Sequence, residues 1–308
     1  VVARIEQALR WGAAWVRRLG ATGTIGLVVG LAVLVGAVLG PILTPYSPFA
    51  FVGGPFDPPS AGMPLGTDVI GRDVLSRLMA GGGRLLGLSV LATAVGVVGG
   101  TLCGIVAGYR KGFLDEAIMR GFDVLLAFPQ MILALLFISM IGPQAWLIVL
   151  LVAAVHGPQV ARVMRAATLR VAEEDFVRFS EAIGMSTARI LLSEILPNLT
   201  GPLMVELGLR FTYSTALIAA LGFLGLMDDP SVPDWGMMMN ENRIGVGSNL
   251  WGVAAPAIAL AVLTVAINLF TDALARVTLA PASAEDGADV EPGIAPVITM
   301  PLQMDMRP

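Results

Sequence analysis

Residues 21–43 contain no charged side chain and consist mainly of Leu, Val, Ile, Ala and Gly. As a helix the stretch would rise about 33 Å at 1.5 Å per residue, enough to cross a hydrocarbon core about 30 Å thick. In lipid the backbone must satisfy its own hydrogen bonds, so such a run has to be helical. Comparable runs at 85–108, 117–142, 147–162, 200–226 and 251–277 predict an all-α, polytopic transmembrane bundle of six spans. Composition agrees: 56% of the 308 residues are hydrophobic and 14% charged, too apolar for a soluble domain of this length. The first run exceeds a signal-peptide core and lacks a small-residue cleavage site, so it reads as a retained span.

The segments between the runs divide the chain. Residues 1–20 set Arg4, Arg10, Arg17 and Arg18 among Leu9, Trp11, Trp15 and Val16. They read either as a basic amphipathic segment along the membrane surface or as a lead-in anchored by tryptophans. Residues 44–64 are rich in Pro and Gly and predict an irregular loop. Val74, Leu75, Leu78 and Met79 share one helical face, which predicts an interfacial amphipathic helix within 65–84. The 85–277 segment is then a five-span core carrying a polar loop at 172–198, and 278–308 is an acidic, Pro-rich tail expected to be disordered. Of the 19 Lys and Arg, all but Arg72, Arg77, Arg84 and Arg243 fall at the amino terminus, the Tyr109 loop, the 172–198 region, the tail or the adjoining helix ends. That bias predicts that both termini and the polar loop are cytoplasmic.

The polar loop has the punctuation of two short helices with a sharp corner. Asp175 is a suitable N-cap, Gly184 can take the left-handed conformation that ends the first helix, and Ser186 can cap the second. Pro197 predicts a stop near Leu196. This knuckle resembles the loop of binding-protein-dependent ABC importer permeases in which Glu-Ala-Ala precedes Gly and a later Leu-Pro. Gly184, Leu196, Pro197 and Asn198 fit at the right spacing, whereas Arg178, Phe179 and Ser180 stand in place of Glu-Ala-Ala, and Glu194 occupies a position usually apolar or His. A second block is more specific. Gly66-Thr67-Asp68 followed by Gly71-Arg72-Asp73-Val74-Leu75-Ser76-Arg77 is similar to the signature of the C-type permease subunit of dipeptide, oligopeptide and nickel importers. Residues 107–135, the Gly222-Phe223-Leu224-Gly225-Leu226 run and Trp235-Gly236 resemble further blocks of that family, with Met227 replacing a glycine.

The resemblance implies a type I ABC importer permease fold in a bacterial inner membrane, with a coupling helix in the cytoplasm. Asp175, Phe176, Arg178, Glu181, Ala182, Gly184, Leu196, Pro197 and Asn198 would form the ATPase-coupling loop. Implied partners are a B-type permease forming a heterodimer, two ATP-binding subunits that hold ATP and Mg, and an extracytoplasmic substrate-binding protein. Peptides are the expected cargo, with nickel complexes or another small solute as alternatives.

The remaining chemistry is sparse. One Cys and one His leave no ligand set for a metal, and the sole lysine, Lys111, lies outside any Gly-rich loop ending in Gly-Lys-Ser/Thr, so the chain is expected to hold no cofactor and to be non-catalytic. Nothing suggests nucleic-acid binding. His156 reads either as a hydrogen-bonded packing residue or as a proton relay, and Glu206 and Arg210, one turn apart, either pair at the membrane rim or line a path. His156, Glu206 and Asp272 define the rival reading, a proton-coupled secondary transporter working without ATPase partners. Pro129 is expected to kink the third span.

Overall fold

The computed structural model describes residues 2–229 and 231–279, with side chains described over 19–229 and 231–277. Most of the tail expected at 278–308, and the side chains of the basic segment before Leu19, lie outside that range. The helices are α1 (Val2–Leu43), α2 (Val74–Arg110), α3 (Gly112–Leu126), α4 (Gln130–Ile141), α5 (Ala145–Val171), α6 (Asp175–Ala182), α7 (Thr187–Arg189), α8 (Leu196–Asn198), α9 (Thr200–Phe223), α10 (Trp235–Asn242) and α11 (Trp251–Leu279). Five stretches, in α1, α2, α5, α9 and α11, are long and apolar enough to cross a membrane, and α3 with α4 would make a sixth crossing. Within α1, Gly20 adopts φ +71° and interrupts the helical geometry just before the apolar run.

The bundle is held along α2 by glycines at every fourth position. Gly96, Gly100, Gly104 and Gly108 fall on one stripe and receive the backbone of α5 at Ala153, Gly157, Ala161 and Arg165. Without a hydrophobic force between helices in lipid, close backbone approach of this kind supplies the packing energy. Gly23 and Gly26 serve α1 similarly against Ala273 and Ala266 of α11. Two buried clusters result. One joins Val74, Leu85, Ile148, Ile218, Met238 and Leu263 toward the end where α2 begins, and the other joins Val97, Ile105, Val160, Met164, Val177 and Ile195 toward the opposite end.

Four expectations require correction. No separate interfacial helix occupies 65–84: its latter half forms the opening turns of α2, with Val74, Ser76 and Arg77 fully buried. Pro129 breaks the third span instead of kinking it. Its backbone is extended (ψ 123°), and α3 and α4 meet at 79° because proline lacks the amide needed to continue the ladder and turns the preceding residue away from helix. Glu174, not Asp175, takes the N-cap position of α6, without a side-chain capping bond. Finally, the second knuckle helix does not stop at Leu196. Residues Ile190–Ile195 widen into a π turn, in which the amide of Leu196 reaches back to the Leu191 carbonyl, and helix resumes through Pro197 to Asn198.

Candidate functional site

Three polar assemblies interrupt the apolar bundle. The knuckle lies between α5 and α9. Gly184, at φ +79°, closes α6 as a Schellman motif: its amide donates to Glu181 O at 3.0 Å and that of Met185 to Ser180 O at 3.1 Å. Val177 and Ser180 face inward, and Val177 joins Ile190, Ile195 and Leu199 against Val160, Met164 and Ala167 of α5. Tyr109 at the end of α2 donates its hydroxyl to Glu181 Oε1 at 2.6 Å, and Lys111 pairs with Glu173 at 3.4 Å. The outward face shows Phe176, Phe179 and Ile183, the last two 65% and 59% exposed, with Asp175, Arg178, Ala182, Pro197 and Asn198 exposed around them. Asn198 donates to the Glu194 carbonyl at 2.6 Å.

At the opposite end the segment 65–73 is locked to α10 by charge. Asp68 accepts from Arg72 Nε at 2.7 Å and Arg77 Nη1 at 2.5 Å, and Glu241 accepts from the same two guanidiniums at 3.0 and 2.5 Å. The backbone amides of Ile70 and Arg72 also donate to Asp68 Oδ1 at 3.0 and 2.9 Å. Burial alone would push the Asp68 carboxyl up, but the Arg72 amide and the charges of Arg77 and Arg72 outweigh it and hold the group below its ordinary value. Asp73 caps α2 through the amide and hydroxyl of Ser76 at 2.8 and 2.6 Å. Gly66 and Gly71 adopt positive φ, and a β-carbon on either would strike the backbone, at Asp57 and Gly53 respectively. Thr67 donates to Gly54 O at 2.6 Å. Asn242 accepts from the Val69 amide at 3.0 Å, and Asn249 donates to Leu65 O and Thr67 O at 3.0 and 2.9 Å. Trp235 lies buried on Gly81 and Gly82 and donates to Leu78 O at 2.8 Å, while Gly236 abuts the Ala219 carbonyl. Asp234 caps α10 through the amides of Gly236 and Met237.

Between α4, α5 and α9 is a cavity of about 490 Å³ bordered by Gln130, Met131, His156, Gln159, Arg210 and Tyr213, with Ala216 and Leu217 completing its wall. A neighbouring chamber of about 270 Å³ shares Gln130 and Gln159 and runs under the α3–α4 break at Pro129. Arg210 pairs with Glu206 at 2.9 Å, donates to Gln159 Oε1 and lies 5.4 Å above the Tyr213 ring. The pair is buried inside the bundle, with Arg210 mid-length in α9. His156 is also buried, but neither ring nitrogen has a hydrogen-bond partner, which corrects the hydrogen-bonded packing role.

Residues 100–278 match the model of the binding-protein-dependent transport system inner membrane component. The chain belongs to that family. It is 32% identical over 255 residues to the dipeptide transport system permease protein of Alkalihalophilus pseudofirmus, covering 81% of this chain and 83% of the relative. It is 34% identical to the di/tripeptide transport system permease protein of Pseudomonas aeruginosa, with 81% and 84% covered. Against the glutathione transport system permease protein of Pectobacterium atrosepticum the figures are 34% identity, with 70% and 72% covered. The protein is therefore a multi-pass permease subunit of a binding-protein-dependent ABC importer, a system that includes a substrate-binding protein and an ATPase.

Within the permease, the structure places the predicted residues in separate assemblies. The Gly66 to Arg77 signature and Trp235-Gly236 are the two halves of one cap, although more than 150 residues separate them. His156 and Arg210 border one cavity with Glu206 behind them, whereas Asp272 is exposed on α11, so the three acids and bases of the secondary-transporter reading do not form one relay. Glu241, Asn242 and Asn249 of the cap, and Gln130, Gln159 and Tyr213 of the cavity, were not singled out from sequence. Polar side chains at spacings with no periodicity carry no signal until the helices are packed.

Proposed function

We propose that this permease imports di- or oligopeptides as one half of a translocation path, with partner ATPases gripping the knuckle at residues 175–197. The relatives' names, which specify dipeptide, di/tripeptide and glutathione transport, support the cargo. The single observation that carries the grip is the two-faced α6: Val177 and Ser180 are fixed to the body while Phe176, Phe179 and Ile183 offer an apolar stripe outward. A short helix so anchored suits insertion into a partner's groove. The partner set is a B-type permease forming a heterodimer, two ATP-binding subunits that hold ATP and Mg, and an extracytoplasmic binding protein. This chain is the non-catalytic member. The distribution of cations supports a bacterial inner-membrane orientation with both termini and the knuckle cytoplasmic and the Asp68 to Glu241 cap outside.

The test is Gly184→Pro in the complete importer in proteoliposomes. Proline fixes φ near −65°, against +79° here, and removes the amide that bonds Glu181 O. Expected is normal abundance in the membrane, continued ATP hydrolysis, and peptide uptake reduced at least tenfold. Undiminished uptake, or transport by this chain alone, would refute the proposal.

A further inference from the structure

The cavity between α4, α5 and α9 is unusual in its balance of donors and acceptors. Its polar wall consists of Gln130, His156, Gln159, Arg210 and Tyr213, and no carboxylate borders it, because Glu206 contacts Arg210 from outside the wall. The broken third span adds to the donors. α4 begins at Gln130 with no side-chain cap, and the first intrahelical acceptor is used by Leu133, whose amide bonds Pro129 O at 3.1 Å. The amides of Gln130, Met131 and Ile132 therefore open the helix without intrahelical partners, at its positive end, and Gln130 and Met131 border the cavity. His156, 2% exposed on the same wall and unbonded at both nitrogens, is the independent sign that a ligand belongs here. A buried imidazole without a partner costs free energy unless something that enters completes it.

We propose that this cavity receives the terminal carboxylate of a peptide in transit, with Arg210, the opening amides of α4 and His156 as its donors. The inference rests on the peptide reading above and adds to it the chemical group that this subunit contacts. A carboxylate accepts from several donors at once and complements both a guanidinium and a helix amino terminus. A neutral carboxamide lacks the charge and presents donors of its own to a donor-rich wall. Glu206 remains as the counter-charge, so the site stays neutral between passengers.

The experiment uses the complete importer in proteoliposomes, with its binding protein saturated in turn by trialanine and by trialanine amide. Saturation removes the binding protein's own preference from the rate. Wild type is expected to move the free acid about tenfold faster than the amide. His156→Phe, which keeps a ring of similar size, should reduce that preference to about threefold or less, and His156→Gln, which restores a donor, should recover most of it. Each preference is a ratio within one preparation, so differences in abundance cancel. Should the Phe variant fail to accumulate, the paired variant Glu206→Gln with Arg210→Gln, which removes the guanidinium without leaving an unpaired charge, must lower the same ratio. Equal rates for acid and amide in wild type, or an unchanged ratio in the variants, overturn this inference alone. No uptake of either peptide overturns the peptide reading and this inference with it.

Discussion

Replacing Asp68 by Asn tests the ion cluster that closes the cap. The wild-type cluster is balanced, with Asp68 and Glu241 against Arg72 and Arg77, and Arg77 is 0% exposed. In Asp68→Asn the amide oxygen can keep the Ile70 and Arg72 backbone bonds, but the two guanidinium bonds meet an amide NH₂. Each charge-assisted bond is worth about 1.5–3 kcal/mol, and a buried pair broken on one side typically costs about 3–5 kcal/mol. Glu241 still accepts from both arginines, which places the loss near the lower figure, about 3 kcal/mol. At 1.4 kcal/mol per tenfold, that is a more than hundredfold rise in the population with an open cap. Limited proteolysis of the purified permease within 44–73 and 227–250 reads that population directly when opening is fast relative to cleavage. Arg77→Met leaves the opposite excess charge and should be cleaved comparably. The double variant, balanced again through Arg72 and Glu241, should be more resistant than the two single losses would predict, by about 1–3 kcal/mol of coupling. Wild-type resistance in Asp68→Asn, or strict additivity in the double variant, would refute the charge-balance account.

Three further substitutions and one pH profile follow. Gly104→Ala should lower accumulation in the membrane and cost about 1–3 kcal/mol, because its β-carbon would stand 2.5 Å from the Ala161 carbonyl oxygen, which cannot yield; Gly99→Ala, exposed and with nothing within 4 Å, should leave accumulation unchanged on immunoblots. Burial chiefly pushes the Asp234 carboxyl up, against the Met237 and Gly236 amides and the Arg84 charge, so its folded value lies above the ordinary value of about 3.9. The native state then binds the extra proton, and cap stability must fall as pH rises from about 4 through the raised value, whereas the Asp68 contribution is present above about pH 4 and lost only as pH falls through its depressed value. Asp234→Asn, which keeps the capping oxygen while removing the charge from an oxygen that has no partner, should flatten the first slope and be no less stable at neutral pH in the same proteolysis assay.

The spans were legible because lipid leaves the backbone few options, and Gly184 was legible because only a left-handed residue ends a helix that way. Pro129 announced a disruption but not its size: whether a proline bends a helix or severs it depends on whether neighbours satisfy the freed carbonyls, and here the chain turned by 79°. The π turn before Pro197 was similarly hidden, since a widened ladder uses the same residues as an ordinary one. Glu241 is 164 residues from Arg77, and no local pattern links an acid in the second loop to an arginine that reads as the polar edge of a surface helix. The cavity was half visible. His156, Glu206 and Arg210 stand out as ionisable groups in an apolar run, but Gln159 and Gln130 acquire meaning only once α4, α5 and α9 enclose the same space.

The uninterrupted length of α2 has a mechanical consequence. Its first residue, Val74, follows the Asp73 cap beside the ion cluster, and its penultimate residue, Tyr109, is tied to Glu181 in the knuckle, so one rod about 54 Å long connects the two ends. It contains no proline, and Gly96, Gly100, Gly104 and Gly108 are pressed against α5 along one side, which gives that part of the rod a parallel strut. A tilt of roughly 5° about one tip carries the other by about 5 Å. A push felt at Glu181 would therefore travel along one continuous helix to the threshold where Asp68 and Glu241 stand guard.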